Sequence, residues 1–370
     1  MPENRLRILM LVPHQGIKGP TPKHTPLLVS ALRKHGCDVV THGWGRQQDK
    51  ETVQQKVAGR IRDIANIRKV LSKERPDLLV AKTAHDWATL SRDIPLVLAS
   101  RHLCRTVVLQ MHGSQPDRLV SPGNLLFKMV TKWLMRLSDA TLVLSTQEQR
   151  QWQRFYPTGN FYVVSNPFVP PAAEASEAFD LPWNIPPGKP VMLFAGRLIR
   201  EKGIFELLEA TANVKAQIPC HLIMAGDGPC DRQVQQRIAE LDLKDCVTLA
   251  GYLTADQMPS DYRQANIFVL PTYSEGFPTV ITEAMNAGLP VITTPIRGMA
   301  DHLEDGTHAI FVPPMNPPAV ADAILRLLVD KPLCEKMGLA NREKVLEFSP
   351  DRVGRQYLDV LENVVGRLSR

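Results

Sequence analysis

What most limits the fold of this chain is an alternation of two hydrophobic periods. Short apolar, β-branched runs at 7–12, 38–41, 78–81, 106–110, 141–144 and 161–164 are separated by longer stretches. In those stretches apolar residues recur with helical spacing over 26–34, 53–71 and 123–137. Strands that alternate with helices build βαβ units around a parallel sheet. A second series begins at Val191, with strands expected at 191–195, 221–225, 247–249, 267–270, 291–293 and 309–311. Between the two series, Pro167 to Pro190 contains seven prolines and an acidic patch, a domain boundary by composition. At 370 residues the chain is long enough for two full cores. The expected organisation is an α/β fold with a domain over 1–170, a proline-rich linker over 171–190, a second domain over 191–348 and a terminal segment over 349–370. In the terminal segment Val353, Tyr357, Leu361, Val364 and Leu368 form one helical stripe.

In open parallel sheets ligands bind beyond the carboxyl ends of the strands. That rule selects Gly196-Arg197, Gly226-Asp227 and 274–277 in the second half, and His14, His85 and His112 in the first. The richest stretch is Pro271-Thr-Tyr-Ser-Glu-Gly-Phe-Pro-Thr-Val-Ile-Thr-Glu-Ala-Met285. A strand ends just before it, Gly276 and Pro278 break the chain, and a helix over 279–287 is closed by Gly288. The first-turn N–H groups of that helix, at Thr279 and Val280, make an anion pocket. Glu275 lies just before the pocket and Glu283 one turn inside. Carboxylates accept hydrogen bonds from hydroxyls, so the arrangement suits a diphosphate flanked by two polyols. Arg197 and Lys202 supply a guanidinium and an ammonium that neutralise a diphosphate and stabilise charge growing on a leaving phosphate. Gly226-x-Gly228 by itself is a weak dinucleotide signal, because Pro229 breaks the longer pattern.

These pieces resemble, in order, those of the retaining glycosyltransferases of GT-B architecture, specifically the group 1 family known as glycosyltransferase family 4. Glu275 and Glu283 match its Glu-x7-Glu signature, and Gly196-Arg197…Lys202-Gly203 its phosphate motif. Leu222-Ile-Met-Ala-Gly-Asp-Gly-Pro229, Val247-Thr-Leu-Ala-Gly-Tyr252 and Gly288-Leu-Pro-Val-Ile-Thr-Thr294 follow in place. The resemblance is carried by about 191–348. It implies two Rossmann-like domains facing across a cleft, with a tail helix that crosses back onto the first. It also implies roles: Glu283 on ribose hydroxyls, Glu275 on the donor sugar with backbone of Gly276 and Phe277, and His112 beside the reacting carbon. The catalytic set is then His112, Glu275, Arg197 and Lys202. The loop from His14 to His24 departs from the family, whose members carry a Gly-Gly pair there. Gly16 and Gly19 are split, Pro20 and Pro22 stiffen the loop, and Gly16 is where backbone would approach phosphate. Lys18, His85 and Asp86 are candidates for the acceptor site.

The net charge of +6 hides an asymmetry. Residues 1–170 carry 25 Lys+Arg against 12 Asp+Glu (+13), and residues 171–370 carry 19 against 26 (−7). A basic half suits an anionic partner, either a phospholipid surface or a lipid-linked diphosphate; without a partner it is a solvated surface. Dispersed cations with no nucleic-acid motif argue against DNA or RNA. In 124–137, Lys128, Lys132 and Arg136 form a cation stripe beside Phe127, Trp133 and two methionines. That is either a helix lying in a membrane interface or a core helix with one wet edge. Six scattered cysteines without a Cys-x-x-Cys pair suit a reducing cytoplasm, and neither a signal peptide nor a spanning segment is visible. No histidine pair or aspartate cluster has metal-ligand spacing, so neither metal nor cofactor is expected.

The expected function is a metal-independent, retaining transfer of a sugar from a nucleoside-diphosphate sugar to a glycan or lipid-linked acceptor at the inner membrane face. The alternatives are a soluble acceptor such as a sugar phosphate or inositol phosphate, a nucleotide-sugar epimerase, and a non-catalytic sugar-binding protein.

Overall fold

The computed structural model describes all residues except 1–4, 15, 18–19, 48–50, 113, 115–122, 171–187, 255–256 and 369–370. Lys18 and most of the expected linker therefore lie outside the described residues. The chain divides into two units, Met1–Val169 with Phe348–Arg370, and Pro170–Glu347.

In the first unit the elements run β1 (Arg7–Val12), α1 (Pro20–Lys34), β2 (Asp38–Gly43), α2 (Val53–Glu74), β3 (Leu78–Thr83), α3 (Trp87–Ser100) and β4 (Thr106–Met111). They continue with α4 (Leu125–Leu137), β5 (Ala140–Val143), α5 (Thr146–Phe155) and β6 (Phe161–Val163). The second unit holds β7 (Val191–Ala195), a 3-10 turn (Arg200–Lys202), α6 (Ile204–Lys215), β8 (His221–Ala225), α7 (Asp231–Glu240) and β9 (Val247–Gly251). It continues with α8 (Met258–Gln264), β10 (Ile267–Leu270), α9 (Thr279–Ala287), β11 (Val291–Thr293), α10 (Gly298–His302), β12 (Ala309–Phe311), α11 (Pro317–Val329) and α12 (Lys331–Lys344). The closing helix α13 (Pro350–Leu368) belongs to the first unit.

Each unit is built on a six-stranded parallel sheet, in the orders β2-β1-β3-β4-β5-β6 and β12-β11-β10-β7-β8-β9. The second is the doubly wound order of dinucleotide-binding folds. Strand order reverses between β1 and β3 in the first sheet and between β7 and β10 in the second, and crevices open at such points. The first core follows the strand period of two. Leu9, Leu11, Leu79, Val107 and Leu109 pack on one side with Ile67, Leu90, Phe127 and Trp152. Ile8, Met10, Val80 and Val108 pack on the other with Leu28, Leu32, Tyr357 and Leu361. The apolar stripe of α13 thus closes the side that α1 covers.

Sequence periodicity placed β1, β7, β8, β10, β11 and β12 at their observed bounds. In the first unit three helices differ most. α1 starts at Pro20 rather than 26, because prolines fit a first helical turn, where N–H groups have no intrahelical acceptor. The segment 20–24 is therefore helix and not a stiff loop. α3 and α5 had no clear periodic signal. α3 buries the polar Asp93 and Ser100 while exposing Trp87 and Leu98, which blurs its period, and α5 buries only Glu148 and Trp152. α3 is opened by a reciprocal capping box between Asp86 and Thr89.

Candidate active site

In the second unit the site grows from the ends of β7 and β10. After β7 the chain passes Gly196 and Arg197 and makes the turn that carries Lys202. Two hydrogen bonds tie this turn to the end of β10: Tyr273 N–H to Glu201 O at 2.9 Å and Thr272 Oγ1 to the same oxygen at 2.8 Å. Gly203 closes the turn with φ 71, and a Cβ there would lie 2.2 Å from the Pro271 carbonyl oxygen. Only glycine permits that approach. The result is an ion pair between Lys202 Nζ and Glu275 Oε1, with side chains 11% and 23% exposed. Arg197 is exposed and has no ion-pair partner among the described residues.

The β8 turn has a packing role. A Cβ on Gly226 would lie 1.9 Å from the Gly196 carbonyl oxygen, and one on Gly228 2.3 Å from that of Leu198. The two glycines let one strand-end loop rest backbone to backbone on the other, with Leu198 N–H bonding Asp227 O at 2.8 Å.

Helix α9 begins after Pro278, with no side-chain cap, and Gly276 O accepts from Gly298 N–H at 2.9 Å. Thr279 and Val280 form its first turn, as the break at Gly276 and Pro278 predicted. Phe277 packs on the His302 ring at 4.8 Å. Glu283, half-buried, accepts a hydrogen bond from Tyr262 Oη at 2.9 Å. Burial, then the Glu283 carboxylate, push the Tyr262 phenol well above its ordinary range, so it remains a donor. Sequence reasoning missed Tyr262. The available signal was a tyrosine on the short helix before β10, because a buried phenol needs a hydrogen-bond partner.

In the first unit the structure separates the candidates. His85 is 1% exposed, its Nε2 lies 3.2 Å from Thr131 Oγ1, and its ring packs between Phe127 and Trp152 at 4.7 and 4.9 Å. It is a core histidine, and the acceptor role expected for it does not fit this burial. Asp86 caps α3, accepting from Thr89 N–H at 2.7 Å. His14 faces Asp63, Nε2 to Oδ2 at 3.4 Å. Gly16 is exposed with φ 84 and open space where a Cβ would be.

His112 follows β4 and donates its N–H to Thr83 O at 2.7 Å. The residue is half-buried, but its Nε2 is fully buried and has no hydrogen-bond partner among the described residues. Burial first, then the nearby Lys82 and His24, hold the imidazole well below its ordinary pKa, so the ring is neutral. Lys82, in β3, is 9% exposed, and burial lowers its ammonium to about 7. Its Nζ donates to Thr25 Oγ1 on α1 at 2.7 Å. Sequence reasoning ended this strand at 81, one residue short of it. Among the described residues no three His, Cys, Asp or Glu side chains cluster to hold a metal ion, and no helix is long and apolar enough to cross a membrane.

Comparison with known proteins places this geometry in a family. Glycosyltransferase Family 4 matches residues 23–169 and Glycosyl transferases group 1 matches residues 176–344, together most of the chain. The alpha-D-kanosaminyltransferase of Streptomyces kanamyceticus is 31% identical over 255 residues, 65% of this chain and 66% of that protein. Other curated relatives are matched over less than half of their own length. Sucrose-phosphate synthase from Thermosynechococcus elongatus shares the fold, with TM-score 0.76 and 21% identity over 98% of this chain and 100% of that one. So does Anabaena HepE, solved with UDP and glucose, with TM-score 0.70 and 17% identity over 97% and 100%. The fold is that of the GT-B glycosyltransferases. The chain belongs to the group 1 glycosyltransferases.

Proposed function

We propose that this chain transfers a sugar, with retention, from a nucleoside-diphosphate sugar to a glycan or lipid-linked acceptor. The observation that carries the donor half is the Lys202–Glu275 pair at the strand-order reversal between β7 and β10, with Arg197 exposed beside the same strand end. A diphosphate entering there meets Arg197, Lys202 and the start of α9, while Glu275 turns to sugar hydroxyls and Glu283 to the ribose. The solved complex of HepE with UDP and glucose supports a donor of this chemistry. The leaving phosphate takes the acceptor proton while the two cations stabilise its charge. The chain's resemblance to the family gives His112 the expected role of a neighbour to the reacting carbon. Cations and a helix end supply the electrophilic role that a metal plays elsewhere, so turnover should survive EDTA.

The first unit supports a membrane-borne acceptor. On α4 the inward face is Phe127, Thr131, Leu134 and Met135. Its outward face shows Leu125, Leu126, Met129 and Trp133 beside exposed Lys132 and Arg136. An apolar outer face edged by cations suits an anionic lipid interface.

Binding of UDP and of UMP to wild type and Arg197→Ala tests the donor assignment. The variant should lose far more affinity for the diphosphate than for the monophosphate. Equal losses, or undiminished UDP binding, would remove Arg197 from the diphosphate.

A further inference from the structure

The first sheet reverses strand order between β1 and β3, and beyond its strand ends Lys82 and His112 gather. Lys82 stands near the end of β3, in register with Gln110 of β4. His112 follows two residues beyond Gln110. By strand alternation Lys82, Gln110 and His112 point to the side covered by α1 and α13. From that side α1 brings Thr25 to the ammonium and His24 close by, with His24 Nδ1 hydrogen-bonded to Pro167 O at 2.8 Å. The charged or titratable groups that bear on His112 are Lys82 and His24, an ammonium and an imidazole. Helix α1 has no acidic residue in its first turn. Asp93 belongs to the neighbouring residue on the strand, where it accepts from Thr83 Oγ1 and pairs with Arg92.

Among the described residues the Lys82 ammonium has one hydrogen-bond acceptor, Thr25 Oγ1, which leaves two donors unused. A buried ring nitrogen with no partner is a cost the fold carries unless a ligand satisfies it. We propose that Lys82 and His112, with Thr25 holding the ammonium in place, form an oxyanion subsite of the first unit that takes a phosphoryl or carboxylate group of the acceptor. The ammonium gives a charge-assisted bond to the oxyanion, and neutral His112 gives a second through Nε2–H. A bound anion restores the charge that burial suppresses on Lys82. Assigning the oxyanion to the acceptor rests on the proposed transferase activity; binding of the oxyanion itself does not.

The test uses the full chain saturated with UDP, which fills the Arg197–Lys202 site. Inorganic phosphate, glucose 6-phosphate, glucuronate and, as a neutral control, methyl glucoside are titrated by calorimetry and by thermal shift. Wild type should bind at least one anionic probe and not the neutral one. Phosphate against glucuronate separates the two sources of the oxyanion. Lys82→Met should weaken that binding at least tenfold while UDP affinity is unchanged, and Thr25→Val should weaken it severalfold. Methionine fills the lysine stem's volume without the charge, and if it melts early Thr25→Val carries the comparison. Arg197→Ala, studied at its own saturating UDP, should leave anion binding intact. Anion binding that is absent in wild type, or equal in Lys82→Met and Thr25→Val, would overturn the subsite. If UDP itself fails to bind, the transferase reading fails while the phosphate result still judges the subsite.

Discussion

Replacing Glu275 by alanine should damage stability and turnover by separable amounts. Its carboxylate faces Lys202 Nζ, and the lysine side chain is 11% exposed. Removing one partner of a buried ion pair costs about 3–5 kcal/mol, because the other charge is left without compensation. The 23% exposure of the Glu275 side chain lets water reach the gap, which lowers the figure to about 2–3 kcal/mol. For a unit of this size that is a drop of roughly 5–10 °C in its melting transition. Lys202→Met should cost less, since the more exposed Glu275 regains water. The double variant should be more stable than the sum of the singles by about 1–2 kcal/mol. Urea unfolding followed by circular dichroism, with all four proteins, closes the cycle. Saturating UDP should then stabilise Glu275→Ala more than wild type, because the diphosphate supplies the anion that Lys202 has lost. Turnover should fall by tens to about a thousandfold, the range expected for a charged contact made mainly in the transition state. Additive single effects would mean that the ion pair contributes nothing as a pair. Near wild-type kcat/KM would remove Glu275 from the chemistry.

Two further outcomes are expected. Wild-type protein should co-sediment with anionic vesicles at low salt and less at high salt, and a Lys128/Lys132/Arg136→Glu variant should bind much more weakly. Each cation near such a surface contributes about 1 kcal/mol, and equal binding by the two proteins would favour a soluble acceptor. Asp261 on α8 is fully buried, neither carboxylate oxygen has a partner among the described residues, and burial raises its pKa from 3.8 to about 7. Folding therefore holds a proton that the unfolded chain releases, and this contribution is full below pH 3.8 and is lost as pH rises toward 7. Asp261→Asn should thus gain stability relative to wild type from pH 4 to 7, by at most about 4 kcal/mol, and level off above. A difference in urea midpoint that does not change between pH 5 and 8 would refute this.

The strand–helix alternation was legible because burial on a sheet or along one helix face imposes a period on the sequence, and 7–12 or 267–270 can hardly be anything but strand. The spacing of Glu275, Gly276, Pro278 and Glu283 was legible for a similar reason: strand end, break and helix start are local events written in consecutive residues. α3 and α5 were not, since α3 buries Asp93 and Ser100 and exposes Trp87 and Leu98, and α5 buries too few residues to show a period. His85 and His112 looked alike in sequence, each just past a strand. Only tertiary packing put the first between Phe127 and Trp152 and left the second with a buried, unpartnered nitrogen. The same holds for the pairing of Lys202 with Glu275, of Tyr262 with Glu283, and of Lys82 with Thr25, partners 73, 21 and 57 residues apart. Sequence determines which groups stand at a strand end. Which of them meet, and which of them lose water, depends on how strands from distant segments order themselves in the sheet.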